Sequence, residues 1–141
     1  MDNKLQKITT FIQKHHVMSL ATSDGEELSV CSLFYAYDDE HRCFVVASSE
    51  DTIHIRHIKQ RASVAGNILL ESDEVAKIEG LQFRGVFKAL EDRELKSLYF
   101  KTFPYALALR PKLWVIKVDY FKLTDNRLGF GKKIIWQDVL E

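Results

Sequence analysis

Residues 47–68 read ASSEDTIHIRHIKQRASVAGNI. The segment begins where the apolar run Cys43-Phe44-Val45-Val46-Ala47 stops. Ser48, Ser49 and Thr52 then offer hydroxyls, and His54, Arg56, His57, Lys59 and Arg61 offer potential cations with no acid among them. Ile55 and Ile58 stand three apart, which predicts a helix over 52–60. ASVAGNILLE, 62–71, returns as a strand. Strand, hydroxyl-rich turn, short basic helix, strand is the local order from which the rest is read.

On the N-terminal side, Leu5, Ile8, Phe11 and Ile12 lie at helical spacing, so residues 3–15 form an amphipathic helix. VMSLATS, 17–23, reads as a strand, followed by the turn signal Asp24-Gly25. LSVCSLFYAY, 28–37, is a second strand, and CFVVAS, 43–48, a third, giving an antiparallel meander. On the C-terminal side, KIEGLQFRGVFKAL, 77–90, is a long strand in which Gly80 and Gly85 mark bulges or close backbone approaches. DRELKSLYFKTF, 92–103, is a helix with Asp92 as its cap and Pro104 at its end. KLWVIKVDYFKLTD, 112–125, alternates as a sixth strand, and GFGKKIIW, 129–136, belongs to an irregular tail, 126–141. The expected fold is mainly β with peripheral helices. It is a six-stranded antiparallel split β-barrel in a single domain, 1–141, with its N-terminal helix within 1–16. Closure removes the exposed edges of so many apolar strands.

The 141 residues suit one domain, and 46% hydrophobic residues suffice for a core. Twenty basic and twenty acidic residues cancel, so no global field draws nucleic acid or membrane, and an anion site must be local. Cys31 and Cys43 lack CxxC spacing and read as reduced strand residues of a cytoplasmic protein rather than a disulfide. The charged N-terminus lacks a signal-peptide core, and no run approaches the roughly 18 apolar residues of a membrane span. The pair His15-His16 has no further ligands nearby in sequence, so no metal is expected.

Two chemistries fit the opening segment. Hydroxyls, helix-start N–H groups and one or two cations suit a phosphate. Ser48, Ser49, Thr52 and His54 would donate directly, with Arg56, Lys59 and Arg61 adding field or contacts. Alternatively Asp51 caps the helix, Glu50 and Asp51 favour its positive end, and the basic residues are its solvated face. Asn67, polar in an apolar run, either fixes a turn or reaches a ligand. Trp114 reads as core. Trp136 either crosses to a neighbouring subunit or plugs its own barrel. No Ser-His-Asp set or paired carboxylates are visible, so no catalytic residue is named.

The order of elements, from about residue 17 to 125, resembles the pyridoxamine 5'-phosphate oxidase-like family of FMN-binding split barrels. HHVMSLAT, GLQFRG and GFGKKIIW together look like a small branch of short bacterial proteins within it. Against the family pattern Ser48 matches the strand-end hydroxyl and Thr52 the turn hydroxyl, without gaps. Ile53 and His54 fall on a basic pair, Arg61-Ala62 on an Asn-Pro, and Gly80 on a glutamine that touches the flavin ring. The resemblance implies FMN as cofactor, with its phosphate on Ser48, Ser49, Thr52 and His54, assisted by Lys59. It implies a ring wall of Val30, Cys31, Ser32, Val46 and Ala47, and Trp136 at a cleft shared by a homodimer. Phe83, Phe87, Phe103, Tyr105, Phe130 and Trp136 would supply the dimer's apolar surface. The implied activity is a flavin-dependent oxidoreductase acting on a small molecule. The alternative is a non-catalytic carrier or sensor holding FMN, haem or a similar group.

Overall fold

The structure, a computed structural model, describes residues 3–126, 129 and 131–138. Helix α1 spans Asn3–Lys14, α2 Ile53–Gln60 and α3 Arg93–Thr102. The strands are β1 Val17–Ser23, β2 Leu28–Phe34, β3 Ala36–Asp38, β4 Cys43–Ala47, β5 Ser63–Leu70, β6 Glu79–Ala89, β7 Leu113–Asp125 and β8 Lys133–Gln137. Among the described residues no helix is long and apolar enough to cross a membrane.

The strands make one sheet in the order β2-β1-β5-β6-β7-β4-β3, with β8 added to β7, and every pairing is antiparallel. The two ends of that order, β2 and β3, are separated in the chain by Tyr35 alone. One bent strand therefore supplies both edges, and the sheet curls round to meet itself. The bend is pinned from both sides of Tyr35. Its N–H donates to the His16 carbonyl at 3.0 Å, and its hydroxyl donates to the Ile12 carbonyl at the end of α1 at 2.5 Å.

The mainly β split barrel is thus as expected, but it has eight strands where six were anticipated. The single strand over 28–37 breaks at Tyr35, because its two halves pair with different neighbours. The tail is not irregular throughout. Lys133–Gln137 pairs with Thr124–Tyr120 of β7, and Trp136 sits opposite Phe121. Gly85 marks a real bulge: the β6–β7 register shifts between Arg84 and Gly85, and a Cβ there would lie 2.4 Å from the Lys117 carbonyl oxygen. Gly80 sits in regular register opposite Leu69 and Thr124, with room for a side chain.

The interior is filled by aromatic rings. Phe44 packs tilted on Phe83 at 4.9 Å and meets Tyr35 edge to face at 5.1 Å, while Ile8, Phe11 and Ile12 of α1 close one end. Each such side chain contributes about 1.5–3 kcal/mol on burial. A second cluster lies outside the barrel, where α3, through Tyr99, covers Cys43 and Val45 of β4 and Leu113 and Val115 of β7. Covering on both faces explains why β4 is a continuous apolar run rather than an alternating one.

The strand alternation corrects the expected dimer surface. Phe83 and Phe87 point into the barrel and are 1% exposed. Phe103 is half-buried against Phe34 and Tyr99, Tyr105 is exposed, and Phe130 lies outside the described residues. The apolar residues left on the outer face of β2, β5 and β6 are Leu28, Val30, Phe34, Leu69 and Val86. Cys31 is half-buried and Cys43 buried, and both are free thiols.

Candidate functional site

Helix α2 starts at the mouth of β4. Thr52, extended at φ −75° and ψ 155°, is its N-cap: the hydroxyl oxygen accepts from Ile55 N–H at 3.4 Å and the hydroxyl donates to the Ser49 carbonyl at 2.8 Å. Asp51 is exposed and is not the cap. The His54 ring turns back beneath the cap, with Nε2 2.7 Å from Ser48 Oγ and 3.4 Å from Thr52 Oγ1. Ser48 is fixed in turn by its backbone. Its N–H donates to the Lys112 carbonyl at 3.1 Å, and its carbonyl accepts from Trp114 Nε1–H at 2.9 Å. Trp114 is core, as its sequence position suggested.

The electrostatics follow from burial. His54 is 9% exposed, and desolvation, with the nearby His57 adding to it, holds its pKa below the ordinary value. The neutral ring has one N–H. Placed on Nε2 it donates to Ser48 Oγ, and the Ser48 proton is then left to point outward. Glu50, one of the two acids before the helix start, is hydrogen-bonded by Lys112, with Lys59 3.9 Å away; the other, Asp51, is exposed. The Lys112 hydrogen bond and charge, then Lys59, lower the Glu50 pKa. Its negative charge is thereby countered by two lysines. The first N–H groups of α2, at Ile53 and His54, have no intrahelical acceptor. Such a helix start, carrying hydroxyls and an imidazole, can hold an anion.

The remaining predicted residues divide between two faces. Val30 and Ser32 face outward on β2, and Cys31 between them turns toward the interior cluster. Val46 lies inside the barrel and Ala47 against the α3 cluster. Strand alternation thus leaves Val30 and Ser32 as the solvent-facing part of the expected ring wall. Lys59 is exposed and engaged with Glu50. Trp136 packs on Phe121 of the same chain at 5.9 Å, under the Arg42 guanidinium at 4.9 Å. Phe121 and Trp114 are seven positions apart on β7, about 23 Å at ~3.3 Å per residue, so Trp136 does not join Ser48 within one chain.

A shallow groove of about 650 Å³ crosses the outer face of β1, β2, β5, β6 and β7. Its lining includes Val30, Asn67, Gln82, Arg84 and Tyr120, with the Arg84 guanidinium 4.1 Å over the Tyr120 ring. Asn67 forms no turn; it lies in register between Ser19 and Gln82 and is exposed. Gln82 and Arg84 were not singled out in the sequence, although the alternation of GLQFRG carried the signal.

No protein-family model matches the chain. A UPF0306 protein of Enterobacter sp. (strain 638) is 40% identical over 135 residues, covering 94% of this chain and 95% of that protein. The chain belongs to the UPF0306 family. An Escherichia coli UPF0306 protein, YhbP, is 35% identical over 136 residues. Solved structures show the same fold at low identity. A heme binding protein from Mycobacterium smegmatis superposes with a TM-score of 0.79 at 17% identity, over 97% of this chain and 59% of that one. HutZ, the heme storage protein from Vibrio cholerae, gives 0.68 at 16% identity, over 81% of this chain and 89% of that one. An FAD-binding protein from Mesorhizobium loti gives 0.69 at 14% identity, over 84% and 90%. The UPF0306 chain is therefore a split barrel of the kind found in those proteins.

Proposed function

We propose that this UPF0306 protein is a cofactor-binding barrel that holds FMN, with the phosphate at the start of α2. The observation that carries the reading is the joined set of Ser48, Thr52 and His54 at that helix start, beside an acid already countered by Lys112 and Lys59. These groups fit a phosphate by donor type: two backbone N–H groups and the Ser48 hydroxyl proton, which the imidazole frees by donating to Ser48 Oγ. A flavin held there would supply hydride or electron transfer. The chain's own part is binding and orientation: Thr52 fixes the helix start, and His54 positions the Ser48 hydroxyl.

The working unit is a homodimer. The barrel interior is filled by Phe44, Phe83 and Phe121, so a tricyclic ring must lie outside it, in a groove that one chain leaves open. Leu28, Val30 and Phe34 on the outer face of β2 are the apolar surface a second copy would cover. Trp136 would act on the partner's site rather than its own.

The second reading is a carrier or sensor for haem. The printed names of the Mycobacterium and Vibrio proteins favour it, as do Ile53 and Gly80 where the oxidases carry a basic residue and a glutamine. The visible spectrum of the purified full-length protein separates them. Flavin bands that bleach on reduction support FMN, a Soret band supports haem, and a colourless protein that takes up neither rejects both.

A further inference from the structure

The C-terminal half of α2 carries a second polar cluster, beside the β1–β2 turn. A His57 ring nitrogen and one carboxylate oxygen each from Asp24 and Glu27 all lie within 4.8 Å of one another. The acids sit on the β1–β2 turn, some thirty positions away in the sequence. His57 is 5% exposed, and its Nδ1 is 3.0 Å from the hydroxyl of Thr22, itself 2% exposed. Among the described residues Nε2 has no hydrogen-bond partner. A buried imidazole with one nitrogen on a hydroxyl is held in a fixed orientation, as metal-binding histidines are.

The acids are arranged to match. Asp24 Oδ1 accepts the N–H groups of Glu26 at 2.9 Å and Glu27 at 2.8 Å, which leaves Oδ2 for another partner. Among the described residues neither Asp24 nor Glu27 forms an ion pair with a lysine or arginine. Arg61, the nearest cation, lies against the backbone of the turn: a Cβ at Gly25 would be 2.7 Å from its Nε. Two carboxylates and an imidazole thus converge near the negative end of a helix, a place that favours positive charge.

We propose that Asp24, Glu27 and His57 bind a divalent transition-metal ion, with one nitrogen and two carboxylate oxygens as protein ligands and water completing the shell. The mixed donor set suits Zn²⁺ better than Mg²⁺, which keeps an oxygen shell. A bound ion would tie the β1–β2 turn to α2. The site rests on geometry independent of the FMN reading.

The test is calorimetric titration of EDTA-treated full-length protein with Zn²⁺, with and without excess Mg²⁺. One equivalent should bind at micromolar concentration, undisturbed by Mg²⁺, and raise the melting temperature. Glu27→Gln, on an exposed turn position, should weaken binding by about tenfold or more while the protein stays folded. His41→Ala, which removes the exposed Asp38–Glu40–His41 cluster, should leave binding unchanged. No saturable binding at millimolar Zn²⁺, full binding by Glu27→Gln, or loss of binding in His41→Ala would overturn the proposal.

Discussion

Two histidines three residues apart on α2 face opposite chemistry. Each is buried and each has one ring nitrogen on a hydroxyl: His54 on Ser48 at 2.7 Å, His57 on Thr22 at 3.0 Å. At His54 one preceding acid, Glu50, is already engaged by Lys112 and Lys59, the other, Asp51, is exposed, and helix-start N–H groups remain. At His57 the neighbouring acids, Asp24 and Glu27, form no ion pair with a lysine or arginine among the described residues, though Arg61 lies against the backbone of their turn. The same side chain with the same kind of hydrogen bond thus sits in an anion-seeking end and a cation-seeking end. The helix dipole has the matching sign at each. What a buried histidine can serve is set by the charges its partners leave uncompensated.

The largest difference should appear in stability. His57→Ala removes a ring that is 5% exposed and strands the Thr22 hydroxyl, so it should cost about 3–5 kcal/mol of unfolding free energy. His54→Ala, which removes a 9% exposed ring and its bond to Ser48, should cost about 1–3 kcal/mol. Urea denaturation of the two variants measures both, and equal losses would break the contrast. Next is binding. Thr52→Ala with His54→Ala should weaken FMN by roughly 2–4 kcal/mol, since it removes the cap that fixes the helix start and the imidazole that aims the Ser48 proton, and a hydrogen bond to a charged group is worth about 1.5–3. Asp24→Asn should leave FMN affinity alone, and a loss there would mean that the two ends act as one site. Smaller still is the cap. Thr52→Ala alone should cost about 1 kcal/mol of stability, while Asp51→Ala, which is not the cap, should stay within about 0.5.

The smallest effect is with pH. Burial holds His54 below its ordinary value of 6.5, so below that pH the unfolded chain takes up a proton that the folded chain resists. The His54 contribution is therefore complete above 6.5 and declines as pH falls. His15, also shifted down mainly by burial, acts in the same direction. His41, raised by its hydrogen bond to Asp38, acts in the opposite one. In His54→Gln the melting temperature should decline less steeply on acidification than in the parent. An unchanged slope would mean that His54 is solvated.

The sequence made one end of α2 legible and not the other. Ser48, Thr52 and His54 lie in seven consecutive positions, so strand end and helix follow from local patterns, although the cap is Thr52 and not Asp51. Asp24, Glu27 and His57 are joined only by the barrel's curl, and no spacing motif records it. The strand periods located the barrel, and β4's double burial fits its unbroken apolar run. The bend at Tyr35 was not readable, because it is made by partners at Ile12 and His16 rather than by a Gly or Pro. Phe83 and Phe87 show that inward from outward on a long strand needs its register, which only β5 and β7 supply. A truncation before β8 would strip the cover from Phe121, so Trp136→Ala is the cleaner probe of the tail.

The phosphate end of α2 is tested most directly by titrating the apoprotein with FMN and with riboflavin, which differ only in the phosphate. FMN should bind about a hundredfold more tightly, the equivalent of one or two charge-assisted hydrogen bonds. That margin should collapse when Thr52 and His54 are both changed to alanine. Equal affinities for the two flavins, or a margin that survives in the double variant, would contradict a phosphate held at Ser48, Thr52 and His54.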